Sequence, residues 1–383
     1  MDKAKEILKK NTMIIALIVV TIFFSITTNG TLIVPQNVTN LISQNGYVVI
    51  LAVGMLMCIL TGGNIDLSVG SIVCLIGAIA GTLIVNMKVN NWVAIAICLA
   101  VGIVVGVIQG YWIAYLRIPA FIVTLAGMLL WKGVALIVLD GLTVSPFPNN
   151  YLNLFNSYVP DIFNGSINIL SIVIGFIVCA VFIVSKVISR INRKKKGYQL
   201  DSFLSEVMQV IAISVVVMAL AFSLANHKGV PAILVLLALV VFIYTYYTTK
   251  TVPGRYLYAM GGNEKAAKLS GINTNKVLFF AYVNMAFLSA LAALVCVARF
   301  NSAAPTAGVN YEMDAIGACY IGGASAYGGI GSVPKVVIGA IFMGVLNNGM
   351  SIMGIDSNVQ KVVKGVVLLA AVTFDVLSKK KSK

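Results

Sequence analysis

Residues 92–114 read WVAIAICLAVGIVVGVIQGYWIA, a run without a single charged side chain. A helix needs about 20 apolar residues, at about 1.5 Å of rise each, to cross about 30 Å of hydrocarbon, so this run is long enough to span a bilayer. Within it Gly102, Gly106 and Gly110 recur at every fourth position. Such a stripe of the smallest residue lets a second backbone approach closely. Gly77 and Gly81 repeat the pattern in the run before it.

Similar apolar runs lie at 12–28, 46–62, 69–86, 120–138, 167–186, 206–225, 230–248, 277–298, 314–331, 336–353 and 359–377. The chain therefore reads as an all-α polytopic membrane protein of about twelve transmembrane helices, forming a single transmembrane domain over residues 1–383. The run at 314–331 is the weakest, because CYIGGASAYGGIGS (319–332) is crowded with glycine. It reads as a broken or re-entrant helix, a form tolerated where protein or water satisfies the backbone, and ten spans plus re-entrant segments is the alternative count. Composition agrees: 60% hydrophobic and 10% charged residues with a mean hydropathy of +0.98 exclude a water-soluble globular enzyme.

The formal charge of +15 is distributed unevenly. Four basic residues fall within 1–11, six within 186–196 and four within 379–383, with a further cluster at 250–276. By the positive-inside rule these segments are cytoplasmic, which puts both termini inside, as twelve crossings require. The run from Met13 to Ile26 lacks a small-residue cleavage site after it and reads as an uncleaved first span. The basic runs carry no interleaved aromatic or groove-reading element, so no nucleic acid is expected as a partner. The outer connection from Asp140 to Ser166 holds Asp140, Asp161, Pro146, Pro148 and Pro160 and reads as an ordered external loop with room for a short interfacial helix.

The inner connection, 249–276, contains TVPGRYLYAMGGNEKAAKLSGINTNK (251–276). Helix formers from Glu264 to Leu269 are stopped by Ser270 and Gly271, which predicts a short helix bounded by turns. A solvated basic loop that only fixes topology is the plainer reading of the same composition.

Several chemistries are missing. No phosphate-binding G-x-x-x-x-G-K-[ST] occurs, so any ATP hydrolysis has to come from a partner, and no cofactor is expected on this chain. His227 is the single histidine and the six cysteines are scattered, which offers neither a metal cluster nor a nucleophile–base pair. The stretch TGGNIDLSVGS (61–71) is the most distinctive. A carboxylate in hydrocarbon costs roughly 2.5–3.5 kcal/mol, so Asp66 needs a polar partner or an aqueous cavity. Asp66 either caps the following helix together with Ser68 or serves an ion-coupled carrier as its coupling acid. Polar side chains within the spans are few: Gln109, Thr124, Tyr282, Asn284, Asn347 and Asn348. They line a weakly binding pathway or simply bond helix to helix. Of the acidic residues, Asp66, Glu312, Asp314, Asp356 and Asp375 fall near expected interfaces and none at the middle of a span, which disfavours a secondary carrier.

TGGNIDLSVGS, GGNEKAAKLSGIN (261–273) and GGASAYGGIGS (322–332) together resemble the membrane permease of bacterial ABC sugar importers, in the ribose, xylose and galactose branch. The similarity runs over nearly the whole chain. It implies a permease in the bacterial inner membrane, paired as a homodimer within the lipid, fed by an extracytoplasmic sugar-binding protein and driven by a separate cytoplasmic ATPase. The inner loop resembles the family's coupling loop, which falls here on Glu264, Ala266, Ala267, Gly271 and Ile272. Asn64, Asp66, Ser68 and Gly70 then become gating candidates, and Gln109, Thr124, Asn284, Asn347 and Asn348 pathway candidates. Two departures stand out. Asn64 is an insertion relative to ribose permeases, and a helix pair at 167–225 is added to the ten spans of that group. Both features resemble the longer permeases for xylose and multiple monosaccharides, which points to xylose, galactose or glucose.

Overall fold

The computed structural model describes residues 12–163, 165, 167–198 and 203–380. The basic segment 1–11 and the last three residues, on which part of the orientation argument rests, lie outside the described residues. Among the described residues nine helices are long and apolar enough to cross a membrane. In chain order, α1 is Thr12–Thr27, α2 Pro35–Leu60, α3 Val69–Gly81, α4 Asn91–Ala114, α5 Ala120–Leu139 and α6 Asn149–Asn156. They continue as α7 Ile169–Lys195, α8 Phe203–Ala225, α9 Ala232–Lys250, α10 Val252–Gly262 and α11 Glu264–Leu269. The last four are α12 Thr274–Phe300, α13 Tyr311–Ile321, α14 Val333–Ile352 and α15 Ser357–Lys380. A π-helical turn, Thr82–Asn86, prolongs α3 to span length.

Three of the twelve expected spans differ from the rest. α1 has 16 residues and is short for a span. α13 stops after 11 residues at Gly322 and Gly323, the latter at φ +76, so the glycine-rich run is a broken helix, as its composition suggests. α15 is 24 residues long and carries Lys361, Lys364 and Asp375 among its apolar residues. The inner connection holds two helices where one was expected. α10 precedes the short helix, started by Thr251, whose hydroxyl accepts from the Gly254 amide at 3.1 Å, with Pro253 in the first turn.

The chain divides into two compact units. Unit 1 comprises 1–32, 41–156 and 233–383. At its centre α4 lies against α12 through the glycine stripe. A Cβ on Gly102 would sit 2.5 Å from the Ala290 methyl, and one on Gly106 would sit 2.7 Å from the Val283 Cα. Real side chains do not approach that closely, so any larger residue would force the two helices apart. The half of α2 from Val48 to Leu60 is fully enclosed and forms the core of this unit.

Unit 2 comprises 33–40 and 157–232. α7 and α8 form an antiparallel pair with Gly175 against the Ala221 methyl, and Arg190 pairs with Glu206. Asn168 starts α7, accepting from the Ser171 amide at 2.9 Å, and Arg193, Lys194 and Lys195 end it, each at the helix terminus that its polarity or charge complements.

Candidate functional site

The three sequence motifs, up to 270 residues apart in the chain by their numbering from 61 to 331, meet at one end of unit 1. α2 ends at Leu60, and Gly62 and Gly63 turn the chain at φ +127 and +75, conformations open to glycine alone without strain. The loop after α13 lies directly on this turn. The Gly329 amide donates to the Leu60 carbonyl at 3.2 Å, and the Tyr258 hydroxyl of α10 donates to the Gly331 carbonyl at 3.1 Å. A Cβ on Gly63 would sit 2.0 Å from the Ala326 carbonyl oxygen, one on Gly261 1.9 Å from the Leu60 carbonyl oxygen, and one on Gly328 2.5 Å from the Gly62 Cα. This is a backbone-to-backbone junction in which each glycine pair makes room for the other two. From α15, the Asp375 carboxylate accepts from the Ala326 amide at 3.3 Å.

Beyond the junction, Asp66 is wholly buried. Its Oδ1 accepts from the Ser68 amide at 2.8 Å and the Ser68 hydroxyl at 2.6 Å. The bonded amide precedes the helix, so Asp66 forms a turn that leads into α3, and Ser68 occupies the N-cap position. Capping by the Asp66 side chain inside the first helical turn is therefore not what the geometry shows. The Gln109 amide donates to the Ser68 hydroxyl at 2.9 Å, which joins a gating candidate to a pathway candidate. Gly127 provides the space, since a Cβ there would sit 2.2 Å from Gln109 Nε2. Asn64 bonds back to the Thr61 hydroxyl at 3.2 Å within its own loop. Gly70 meets Gly308 backbone to backbone, with Glu312 beside it.

The other pathway candidates do not converge. Thr124 donates to the Ala120 carbonyl of its own helix, Asn284 accepts from Tyr244, and Asn348 donates to Gln44 at 3.3 Å. Tyr282 reaches the Ile65 carbonyl at 3.3 Å. Asn347 immediately precedes Asn348 in α14, and its buried side-chain oxygen has no partner among the described residues. Apart from Asn347, these groups bond within a helix, between helices or to the loop before α3, so they hold elements together.

The acidic residues at the start of α13, Glu312 and Asp314, are buried within the protein. Asp314 forms an ion pair with Lys364 at 2.8 Å and accepts from the Tyr47 hydroxyl at 3.4 Å. Tyr47 is halfway along α2, and its ring stacks on Tyr311 at 4.1 Å. Lys132, within α5, donates to the Ala307 carbonyl at 3.0 Å. Charge thus lies inside unit 1, as the Asp314–Lys364 pair with Lys132 bonded to a carbonyl. The segment 301–310, mostly turns, leads into α13, and that detour leaves no trace in the periodicity.

α11 projects from the other side of the junction. Asn263 ends α10 with extended backbone and starts α11 by accepting from the Ala266 amide at 3.0 Å. Glu264 pairs with Arg117 at 2.7 Å, and the same guanidinium donates to Thr274 at 3.1 Å and to Asn275. Arg117 stands at φ +57 in the turn between α4 and α5, so one side chain ties that turn to α11 and to the start of α12. Ala267 is buried and faces the protein, whereas Ala266 and Leu269 face out, Leu269 with 90% of its surface exposed. Gly271 turns the chain at φ +84 with open space around it, and the Ile272 amide bonds back to Ala267 at 3.1 Å. Sequence reasoning did not single out Arg117 or Leu269. The signal for Leu269 was available, as an apolar residue closing a helix of otherwise polar and small ones.

No solved structure matches the chain. Among curated proteins, it is 36% identical over 369 residues to the xylose transport system permease protein XylH of Haemophilus influenzae, covering 96% of both chains. It is 36% identical over 370 residues to XylH of Escherichia coli strain K12, covering 97% of this chain and 92% of that one. It is 34% identical over 369 residues to the ribose import permease protein RbsC of the same organism, covering 96% and 94%. The family model described as "Branched-chain amino acid transport system / permease component" matches residues 37–153 and 162–372, a stretch that takes in the glycine junction, the Asp66 turn and α11 alike, and the chain belongs to that family of transport permeases.

Proposed function

We propose that this chain is the membrane-spanning subunit of an ABC importer for a monosaccharide of the xylose type, in the bacterial inner membrane. One observation carries the reading: identity of 36% extends over 96% of both this chain and a xylose transport system permease, so the likeness takes in nearly the whole length of each. Ribose is the second choice, on the 34% identity to a ribose import permease, and the helix pair at 167–225 is an addition to the single permease domain. The family's printed description concerns branched-chain amino acids, but the individual relatives matched end to end are named for sugars.

In this reading both termini and the 249–276 connection are cytoplasmic. α11 seats in a groove of a separate ATPase through Ala266 and Leu269, with Gly271 and Ile272 setting its angle and Ala267 packing it onto the permease. Glu264 acts inward, through Arg117, so that displacement of α11 reaches the α4–α5 turn. The Asp66–Ser68–Gln109 chain, with Asn64 and Gly70, lies where α3 begins and is the element that such a displacement would rearrange. Two copies form the pathway, an extracytoplasmic binding protein delivers the sugar, and ATP is used by the partner alone.

The test is reconstitution. Vesicles holding the permease, its ATPase and its binding protein should take up xylose only with ATP, and faster than ribose. Uptake driven by a proton or sodium gradient without nucleotide would replace this reading with an ion-coupled carrier using the Asp314–Lys364 pair.

A further inference from the structure

A cavity of about 550 Å³ lies between α9, α10 and the first turns of α12. Its walls are aromatic and aliphatic, chiefly Tyr244, Tyr247, Tyr256 and Phe280, and its polar groups include Lys276 and Asn284. The Asn284 side-chain oxygen is occupied by the Tyr244 hydroxyl, and its amide nitrogen is buried away from solvent with no hydrogen-bond partner among the described residues. A sugar carries a hydroxyl on nearly every carbon and needs several free donors and acceptors, so this lining suits an apolar occupant better.

The mouth shows which apolar occupant. Ile243 and Phe280 on its rim are 49% and 59% exposed, and the adjoining face of α9 presents Phe242 and Tyr246. An aromatic face of this kind on a membrane helix meets lipid, and tyrosines gather at headgroup level. At that level stands Lys276, exposed and without an ion-pair partner among the described residues. The surrounding stretch 250–276 adds Lys250, Arg255, Lys265 and Lys268, and its single acid, Glu264, is taken by Arg117. A hydrophobic slot between two helices, closed at headgroup depth by unneutralised positive charge, complements an amphiphile with an anionic head.

We propose that this cavity binds one anionic phospholipid, its acyl chain laid against Tyr247 and Phe280 and its phosphate held by Lys276. The site takes from the functional reading only that α9 and α12 span a bilayer with this end at the cytoplasmic leaflet. The lipid would sit between α9, which leads into the α10–α11 connection, and α12, which leaves it, and so would brace the hinge on which α11 moves.

The experiment uses the full chain with Trp92, Trp112 and Trp131 replaced by Phe and a reporter introduced by Phe280→Trp. It is reconstituted in phosphatidylcholine vesicles containing a minor fraction of brominated phosphatidylglycerol or, in parallel, brominated phosphatidylcholine. Half-maximal quenching is expected at an about fivefold lower mole fraction of the anionic lipid, the factor that one lysine near an anionic headgroup contributes. Lys276→Gln should erase that preference and Lys276→Arg keep it. Equal quenching by the two lipids, or a preference that survives Lys276→Gln, overturns the site. Relief of quenching by xylose would make the cavity a sugar subsite instead, and absence of quenching together with cysteine cross-linking between copies at position 280 would make it a dimer contact. ATP-driven uptake measured on the same vesicles keeps the two readings apart, because lost lipid preference with intact uptake removes the site and leaves the transport function standing.

Discussion

The glycine junction and the α11 helix lie at the same end of unit 1 and are built on opposite principles. At the junction, Gly63, Gly261 and Gly328 bring backbones into direct contact, with backbone atoms of another segment where side chains would start. At α11 the backbone is free of such contacts, Gly271 has open space around it, and Arg117 supplies the tie. The junction tolerates nothing larger and therefore moves as a block. The helix is held by an exposed ion pair and one buried methyl, Ala267, which leaves it able to shift as a unit and present Leu269. A rigid joint beside a lightly tethered lever is what transmission of a movement requires.

The sharpest way to break this contrast is Gly261→Val. The new side chain would enter the Leu60 carbonyl, and backbone cannot yield as a flexible side chain can, so a loss of ~3 kcal/mol or more is expected. Membrane levels and the melting midpoint in detergent should both collapse. A variant that assembled normally would mean that the three motifs do not pack as described.

Gly271→Val is the counterpart on the lever. The cost is confined to the left-handed backbone, about 1–3 kcal/mol, because no neighbour is struck. The protein should remain in the membrane while ATP-driven uptake falls by about tenfold or more and co-purification of the ATPase weakens, since 1.4 kcal/mol is already a factor of ten. Undiminished uptake and ATPase binding would reduce the loop to a solvated connector.

The tie itself is expected to be weak in stability and strong in coupling. Both side chains of the Arg117–Glu264 pair are 42% exposed, so a double-mutant cycle with Arg117→Ala and Glu264→Ala should give at most ~1 kcal/mol in unfolding. The charge-swapped pair, Arg117→Glu with Glu264→Arg, should recover part of the sugar taken up per ATP hydrolysed that either single change loses. A swap no better than the singles would show that the pair does not carry the movement.

The smallest effect is expected at Asp66→Asn. Asn keeps the oxygen that accepts both Ser68 bonds and removes a charge whose other oxygen has no partner among the described residues. Stability should change by no more than about 1 kcal/mol and uptake should stay within about twofold of the parent. Normal membrane levels with transport abolished would make the charge itself essential.

Much of this architecture was written in local sequence. Nine of the twelve apolar runs correspond, among the described residues, to helices long and apolar enough to cross a membrane, because hydrophobic length is a property of contiguous residues, and α11 could be placed at Glu264–Leu269 because helix propensity and the Ser270–Gly271 stop act over a few positions. The glycine stripe of α4 likewise announced a close helix partner, though not that α12 would be it. Tertiary structure decided the rest. The burial of Asp314 depends on where the turns of segment 301–310 place the start of α13, and a succession of turns has no periodicity to read. Arg117 gained its role from Glu264, 147 residues away, and a lone arginine in a turn looks the same whether it faces water or a helix. The glycines of the junction each announced a turn, but that three turns would stack on one another depends on long-range packing, where the partner of a residue with no side chain leaves no mark in its own sequence.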